Sequence, residues 1–266
     1  MAVTVINGNI FNSKAQTIVN TVNCVGVMGK GIALVFKLRY PNMFEQYQKY
    51  CAQHLIEVGK LWIYKGEETD PWVLNFPTKT HWKLPSEYEY IEKGLQKFVD
   101  SYKEKGITSI AFPLLGAFNG GLDKDRVLEI MRNYLSLCDI PVEIYQYDPL
   151  APDDLYEQFK SNWLAIPQNR KKEVTKIKTA KQIETIDKAI KSDDLRSMIS
   201  LINYPGIGVK TMECCFNTLF ETIVWAKSNY NNTDSASIHR KMLGVRGSNL
   251  RIRRTRSVIK RNKRRL

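Results

Sequence analysis

Over residues 1–150 short apolar runs alternate with longer segments of helical spacing, and that alternation leaves few architectures open. The runs "VTVINGNIF", "TIVNTVN", "LWIY", "WVLNFPT", "SIAFPLL" and "VEIYQYDP" are rich in β-branched and aromatic residues and short enough for buried strands. Between them lie "GIALVFKLRYPNMFEQYQKYC", "SEYEYIEKGLQKFVDSYKEKG" and "LDKDRVLEIMRNYLSLC". In the second of these, Tyr90, Leu95, Phe98 and Val99 form an apolar stripe, and Gly106 stands where a helix terminates. Strands and helices in alternation pack as a layered α/β domain around a mostly parallel or mixed sheet. Ligands of such sheets sit beyond the carboxyl ends of strands, where loops enter helices.

Two of those loops are rich in glycine. "NCVGVMGKGIA" follows the second run and "LLGAFNGGLDKD" the fifth, each just before a helical segment. Glycine weakens both regular structures, so its clustering points to backbone at positive φ or in close approach to a ligand. The spacing matches neither G-x-x-x-x-G-K-[ST] nor G-x-G-x-x-G, which removes the ordinary nucleoside-triphosphate and dinucleotide loops. Two facing loops of this kind direct backbone N–H groups at a diphosphate from both sides, with a helix N-terminus adding positive potential. Taken singly, the nearby polar residues have plain structural readings. Asp123 in "GGLD" reads as a helix cap, and Lys79 beside Trp82 as a solvated side chain. Cys24, with no histidine close in sequence, reads as a packed small residue.

Charge divides the chain. Residues 1–169 carry 17 Lys+Arg against 19 Asp+Glu, a net −2, whereas residues 170–266 carry 23 against 8, a net +15. Such asymmetry predicts two functional regions, the second facing a polyanion. The seam falls near "AIPQNRKKEVTKIK", and the expected parts are residues 1–155, a helical region over 170–245 and a basic tail over 246–266. No apolar run has membrane-spanning length and "MAVTVINGNIF" lacks signal-peptide features, so no membrane partner is expected. Cys24, Cys51, Cys138, Cys214 and Cys215 form no C-x-x-C pair and fit a reducing compartment, read as the cytoplasm. His54, His81 and His239 are too scattered for a metal site, and neither metal nor cofactor is expected.

Three motifs in order, "NTVNCVGVMGKGIALVFKLRYP", "NFPTKTHWK" and "LGAFNGGLD", resemble the macrodomains, which bind ADP-ribose. Within them they look like the DNA ADP-ribosyl glycohydrolase antitoxins of the DarG type. The resemblance implies a three-layer α/β/α macrodomain with a mixed sheet. It puts Asn9, with Ile10 beside it, where many macrodomains have an aspartate that receives the adenine amino group; an asparagine oxygen accepts the same bond. Asn20 and Asn23 flank the first loop, with Asn23 toward the distal ribose. Gly26, Met28, Gly29, Gly31 and Ile32 would form the first diphosphate wall, and Gly116, Ala117, Phe118, Asn119 and Gly120 the second. The family often has "LGCGNGG" where this chain has "LGAFNGG", so Phe118 replaces a glycine and makes that wall bulkier. Lys79 takes the place of the catalytic lysine at the distal ribose, as a base or as a nucleophile toward the anomeric carbon once its pKa is lowered. Asp123 matches an aspartate that related protein-directed glycohydrolases use as acid/base.

The basic region carries a separate signal. Around "PGIGVKT" it resembles a helix-hairpin-helix element, in which backbone N–H groups at the second helix's start meet a nucleic-acid phosphate. Pro205, Gly206, Ile207, Gly208 and Lys210 hold the matching places, although an ordinary turn after a helix reads equally well from this stretch. The tail "RIRRTRSVIKRNKRRL" has nine basic residues in sixteen and no acid. Such blocks are disordered in isolation and anchor to phosphate with little base specificity; Arg251, Arg253 and Arg254 are its candidate contacts. The expected function is hydrolysis of ADP-ribose from a nucleic-acid base, acting on ADP-ribosylated DNA, with a cognate ADP-ribosyltransferase toxin as the implied partner. The region is shorter than the second domain through which the usual antitoxin relatives meet their toxin. The alternatives are hydrolysis of ADP-ribose from acidic protein side chains, through the same Lys79 and Asp123, and a non-catalytic ADP-ribose-binding module tethered to nucleic acid.

Overall fold

The computed structural model describes residues 3–66 and 70–229. The second apolar run becomes strand β2 (Thr17–Asn23), and the pleat sends its side chains to opposite faces. Ile18 and Val22 enter one apolar cluster, while Val19 enters another. The other runs become β1 (Val3–Gly8), β3 (Trp62–Tyr64), β4 (Trp72–Lys79), β5 (Ile110–Pro113) and β6 (Val142–Tyr147). The sheet order is β1-β6-β5-β2-β4-β3, parallel throughout except for the edge pair β3–β4. β1 is shorter than the first run, because Asn9 caps a 3-10 turn at Ile10–Asn12.

Helices cover both faces. On one side lie α1 (Gly31–Arg39) and α2 (Pro41–Ala52), which bury Phe36, Met43 and Tyr47. On the other lie α3 (Tyr88–Ser101) and α4 (Lys124–Leu135). Val127, Met131 and Leu135 repeat every four residues along α4 and are fully buried, each contributing roughly 1.5–3 kcal/mol by transfer from water. The result is three α/β/α layers. The segment 31–51, which reads as one helical stretch, is broken at Tyr40 (φ −127, ψ 70). Pro41 is the cause, since the proline ring disfavours the helical conformation in the residue before it.

The chain continues through α5 (Tyr156–Ala165), α6 (Lys171–Thr175), α7 (Ala180–Ala189), α8 (Met198–Ile202) and α9 (Val209–Asn229). Phe159, Trp163, Ile186, Met198 and Met212 join the same apolar cluster as Phe36 and Met43. A polar joint reinforces that packing. The Arg39 guanidinium lies 3.9 Å from the Phe11 ring centroid and meets Asp154 at 2.5 and 2.9 Å. Behind it the buried Asp153 carboxylate accepts N–H bonds from Leu155 and Tyr156, at the start of α5, and from Met198, at the start of α8. Burial pushes the Asp153 pKa up, against Arg39 and the three N–H groups that pull it down.

Packing groups Met1–Thr222 into one compact unit, the first of two along the chain. The compositional seam at 165–178 therefore lies inside the first unit. Charge changes there, but packing does not break, because α5, α7 and α8 bury their apolar faces in the cluster shared with α1 and α2. The expected tail 246–266, and the expected helical region beyond 229, lie outside the described residues. No helix among the described residues is long and apolar enough to cross a membrane.

Candidate active site

Strand order places the chemistry-bearing residues side by side. β5, β2 and β4 are parallel neighbours, so their carboxyl ends bring the second glycine loop, the first glycine loop and Lys79 to one edge. β6 and β1 continue that edge with Tyr147 and Asn9. A register shift after Val22 leaves Thr78 unpaired and sets Lys79 opposite Asn23, the local irregularity a β-bulge introduces.

The first loop is shaped by Asn23. Its Oδ1 accepts the N–H groups of Val25 (3.0 Å) and Val27 (3.3 Å), and its Nδ2 donates to the Val27 carbonyl (2.6 Å). The Tyr47 hydroxyl, deep under α2, donates to the Asn23 carbonyl at 2.6 Å. Asn23, expected at the distal ribose, thus uses its amide to fold the loop. Asn20 is fully buried, donates to Asn75 Oδ1 (2.9 Å) and lies 3.9 Å from Met28 Sδ, beneath the loop. Gly26 is buried against Gln48 and Cys51, and Ile32 is half-buried. Gly29 is exposed, and a Cβ there would have only Val27 Cγ1 nearby, at 3.8 Å. At Gly31, the first residue of α1, a Cβ would come within 2.5 Å of Asn119 Nδ2. The two loops touch at that point.

The second loop is packed against the chain itself. A Cβ on Gly120 would lie 2.2 Å from the Gly116 carbonyl oxygen and 2.4 Å from Ser86 Oγ. Ser86 also donates its N–H to the Gly120 carbonyl at 2.9 Å, bracing the loop from the segment that follows Lys79. Gly116 and Ala117 are buried, whereas Phe118 is exposed, edge-on to Tyr147 and 4.8 Å beneath the Lys124 ammonium. The Lys79 ammonium donates to the Asn119 carbonyl at 2.5 Å. Partial burial lowers the Lys79 pKa from its ordinary 10.5. Asp123 is exposed and caps α4, accepting the Arg126 N–H at 2.9 Å. Among the described residues no ion pair joins Asp123 to Lys79. Cys24 donates to the Lys79 carbonyl, and burial pushes its thiol up to about 11, so it stays protonated at neutral pH.

At the far end of the edge, Asn9 and Ile10 are buried. Asn9 Oδ1, expected to receive an adenine amino group, already accepts the Phe11 N–H at 3.2 Å, while its Nδ2 is buried with no partner. In the helical region Gly206 adopts φ +88 in the turn between α8 and α9, with Ile207 buried and Gly208 and Lys210 exposed at the start of α9. Arg251, Arg253 and Arg254 lie outside the described residues. An open depression of about 470 Å³, lined by Asn42, Gln46, Lys49 and Tyr64 among others, shares no residue with either loop. Sequence reasoning missed Tyr47, Asn75 and Ser86. Asn75 alone leaves a trace, as a polar residue inside an otherwise apolar strand.

The family model of the macro domain matches residues 19–131. The DNA ADP-ribosyl glycohydrolase of Thermus aquaticus is 40% identical over 147 residues, covering 54% of this chain and 41% of that protein. The protein of the same description from Mycobacterium tuberculosis is 42% identical over 142 residues, covering 52% of this chain and 40% of that protein. Among solved structures, the macrodomain of Mycobacterium tuberculosis DarG matches with a TM-score of 0.52 and 41% identity, over 54% of this chain and 97% of that one. Thermosipho africanus DarTG, solved in complex with ADP-ribose, matches with a TM-score of 0.52 and 40% identity, over 54% of this chain and 41% of that one. The chain spans about two fifths of the curated relatives it matches. Through residues 19–131, which hold both glycine loops and Lys79, it belongs to the macro domain family.

Proposed function

We propose that the chain hydrolyses ADP-ribose from a nucleic-acid base of DNA, with Lys79 as the catalytic group. One observation carries the reading: Lys79 Nζ is held 2.5 Å from the second loop's Asn119 carbonyl, at the point where the two glycine loops meet. A diphosphate between the walls at Gly29–Gly31 and Gly116–Gly120 would carry its distal ribose toward that amine. Partial burial raises the fraction of neutral amine, the form able to attack the anomeric carbon or to accept a proton beside it. Asp123 is proposed as the accompanying acid/base group, through the carboxylate oxygen not engaged by Arg126. The names of the relatives that share 40–42% identity with this segment support DNA as the substrate.

In this reading residues 1–155 perform the chemistry, while the helical region over 170–245 and the tail over 246–266 hold the nucleic acid. Gly206, Gly208 and Lys210 would meet a phosphate at the open start of α9, and Arg251, Arg253 and Arg254 would add unspecific attraction. A relative from Thermosipho africanus is described as a fusion of a DNA ADP-ribosyl transferase with such a glycohydrolase. That supports a cognate transferase as partner, acting in the same compartment, which we take to be the cytoplasm.

The test follows free ADP-ribose released from single-stranded DNA that carries ADP-ribose on a base. Release by the intact chain and its loss in Lys79→Ala, with ADP-ribose still bound, is the expected result. Release only from ADP-ribosylated acidic protein side chains would replace this reading with a protein-directed hydrolase. Binding of ADP-ribose with no turnover of either substrate would leave a binding module.

A further inference from the structure

The turn immediately after Lys79 has a construction that neither the loops nor the core explains. His81 and Trp82 stack, with centroids 5.7 Å apart and planes at 26°. Trp82 is nevertheless 50% exposed, and Leu84 beside it 51%. The Lys83 ammonium lies over the Trp82 ring, 5.1 Å from its centroid, where an incoming base would displace it toward the backbone phosphate. Short-range bonds fix the arrangement: Leu84 N–H donates to the His81 carbonyl (3.1 Å), and Lys83 N–H donates to His81 Nδ1 (3.2 Å). Both ends of the turn are pinned to the site. The Thr80 carbonyl accepts the Cys24 N–H from the first loop, and Ser86 N–H holds the second loop at Gly120. A tryptophan in such a turn would ordinarily be buried if it served packing. Here a braced aromatic face is turned outward.

Charge selects the partner. Residues 71–86 contain Lys79, His81 and Lys83 and no acidic residue. An exposed indole with a stacked imidazole and an adjacent ammonium is what single-stranded nucleic acid engages, a base on the ring and a backbone phosphate on the cation. Trp82 stands three positions after Lys79, a reach of at most about 11 Å, against a rise of about 3.4 Å per stacked nucleotide. Nucleotides close to the one at Lys79 are therefore within range. An enzyme that draws a modified base out of its stack leaves the neighbouring base without its partner, and an aromatic platform replaces that partner.

We infer that Trp82, backed by His81 and flanked by Lys83, is the platform that receives the unmodified base next to the ADP-ribosylated one. The inference rests on the reading of the chain as a DNA-directed hydrolase and names how that site selects an oligonucleotide. The full chain and its Trp82→Ala and Trp82→Phe variants are compared on two substrates, an ADP-ribosylated single-stranded 10-mer and the corresponding ADP-ribosylated mononucleotide. Base–aromatic stacking of about 1–3 kcal/mol corresponds to roughly a 5- to 140-fold change. The ratio of kcat/KM between 10-mer and mononucleotide should fall by about that factor in Trp82→Ala, mainly through KM, and recover in Trp82→Phe. An unchanged ratio in Trp82→Ala overturns the platform. Should the intact chain release nothing from either substrate, the hydrolase reading fails separately, and the platform is then judged by binding of the unmodified 10-mer at high salt. There, weaker binding by Trp82→Ala with recovery in Trp82→Phe supports it, and equal affinity overturns it.

Discussion

The two charge regions of the chain differ in what their polar residues do. Residues 1–169, with a net charge of −2, concentrate their distinctive groups on one sheet edge, where each is oriented by a neighbour. Residues 170–266, with a net charge of +15, carry cations in sequence blocks with few acids beside them. Yet the apolar groups ignore this division: Ile186, Met198 and Met212 share a cluster with Phe36. Net charge speaks of partners and apolar periodicity of fold, and a change in one need not mark a boundary in the other. Even a cation of the basic region can be structural. Lys171 is buried, 2.5 Å from Asp187 and 4.8 Å from the Trp163 ring centroid.

The largest effect is expected from disabling the first region without touching the second. Lys79→Ala should lower turnover by about 10²–10⁴-fold, the range for a positioned acid–base group. ADP-ribose affinity should change little, the signature of an interaction made mainly in the transition state. The pH profile adds direction. If the neutral amine is the working form, as proposed, then because burial lowers the Lys79 pKa, kcat/KM should rise with pH and level off below the ordinary lysine value of 10.5. A rate that falls across that range would make the charged lysine the active form and change its role.

Asp153→Ala attacks the joint between the regions. It removes the acceptor for the first N–H groups of α5 and for Met198, and one of the two carboxylates facing Arg39. Breaking a buried pair costs about 3–5 kcal/mol, and Asp154 still faces Arg39, so about 3 kcal/mol is expected. Urea titration should show one weakened transition. Two separate transitions, with the sheet unaffected, would mean that the helical region folds independently.

Gly29→Val tests the wall that is open to solvent. The added side chain meets little of the protein but fills space at the proposed diphosphate, and overpacking of about 1–3 kcal/mol corresponds to roughly a 5- to 140-fold weaker ADP-ribose Kd. Calorimetry with unchanged affinity would move the ligand elsewhere. Gly120→Val is a poorer probe, because its Cβ would collide with the loop's own backbone and disturb the fold as well as the ligand.

That contrast shows where the sequence was legible. The six strands, both loops and the edge position of Lys79 follow from local signals: short β-branched apolar runs, glycine clusters and a strand end. The reasons for individual glycines do not, since Gly29 faces open space and Gly120 faces its own chain only after folding. Asn9 and Asn23 were named only through the family resemblance, and the local N–H groups that engage their oxygens depend on turns set by tertiary packing. The continuity of the core past residue 155 was hidden for another reason. Lysines and acids interleave with the apolar faces of α5 and α7, so a composition change concealed an unchanged helical periodicity.

The smallest expected effects concern the basic region, and they should leave the chemistry untouched. Deleting residues 246–266 removes ten basic residues and no acidic one. If those cations displace counterions from phosphates, the slope of log K against log salt should become shallower by about 0.7–0.9 for each phosphate that the truncated chain no longer neutralises. Hydrolysis of a mononucleotide substrate should persist, since the first region is acidic overall and holds the two loops and Lys79. Gly208→Val is a finer probe of the start of α9. Its Cβ would meet no atom of the described protein within 4 Å, so any loss of duplex affinity reports on an approaching backbone phosphate. That loss should be modest and should change the salt slope less than the truncation does, because a backbone N–H carries no full charge. An unchanged slope after truncation would make the tail a solvated extension. A loss of mononucleotide turnover would show that the charge division does not separate chemistry from attraction.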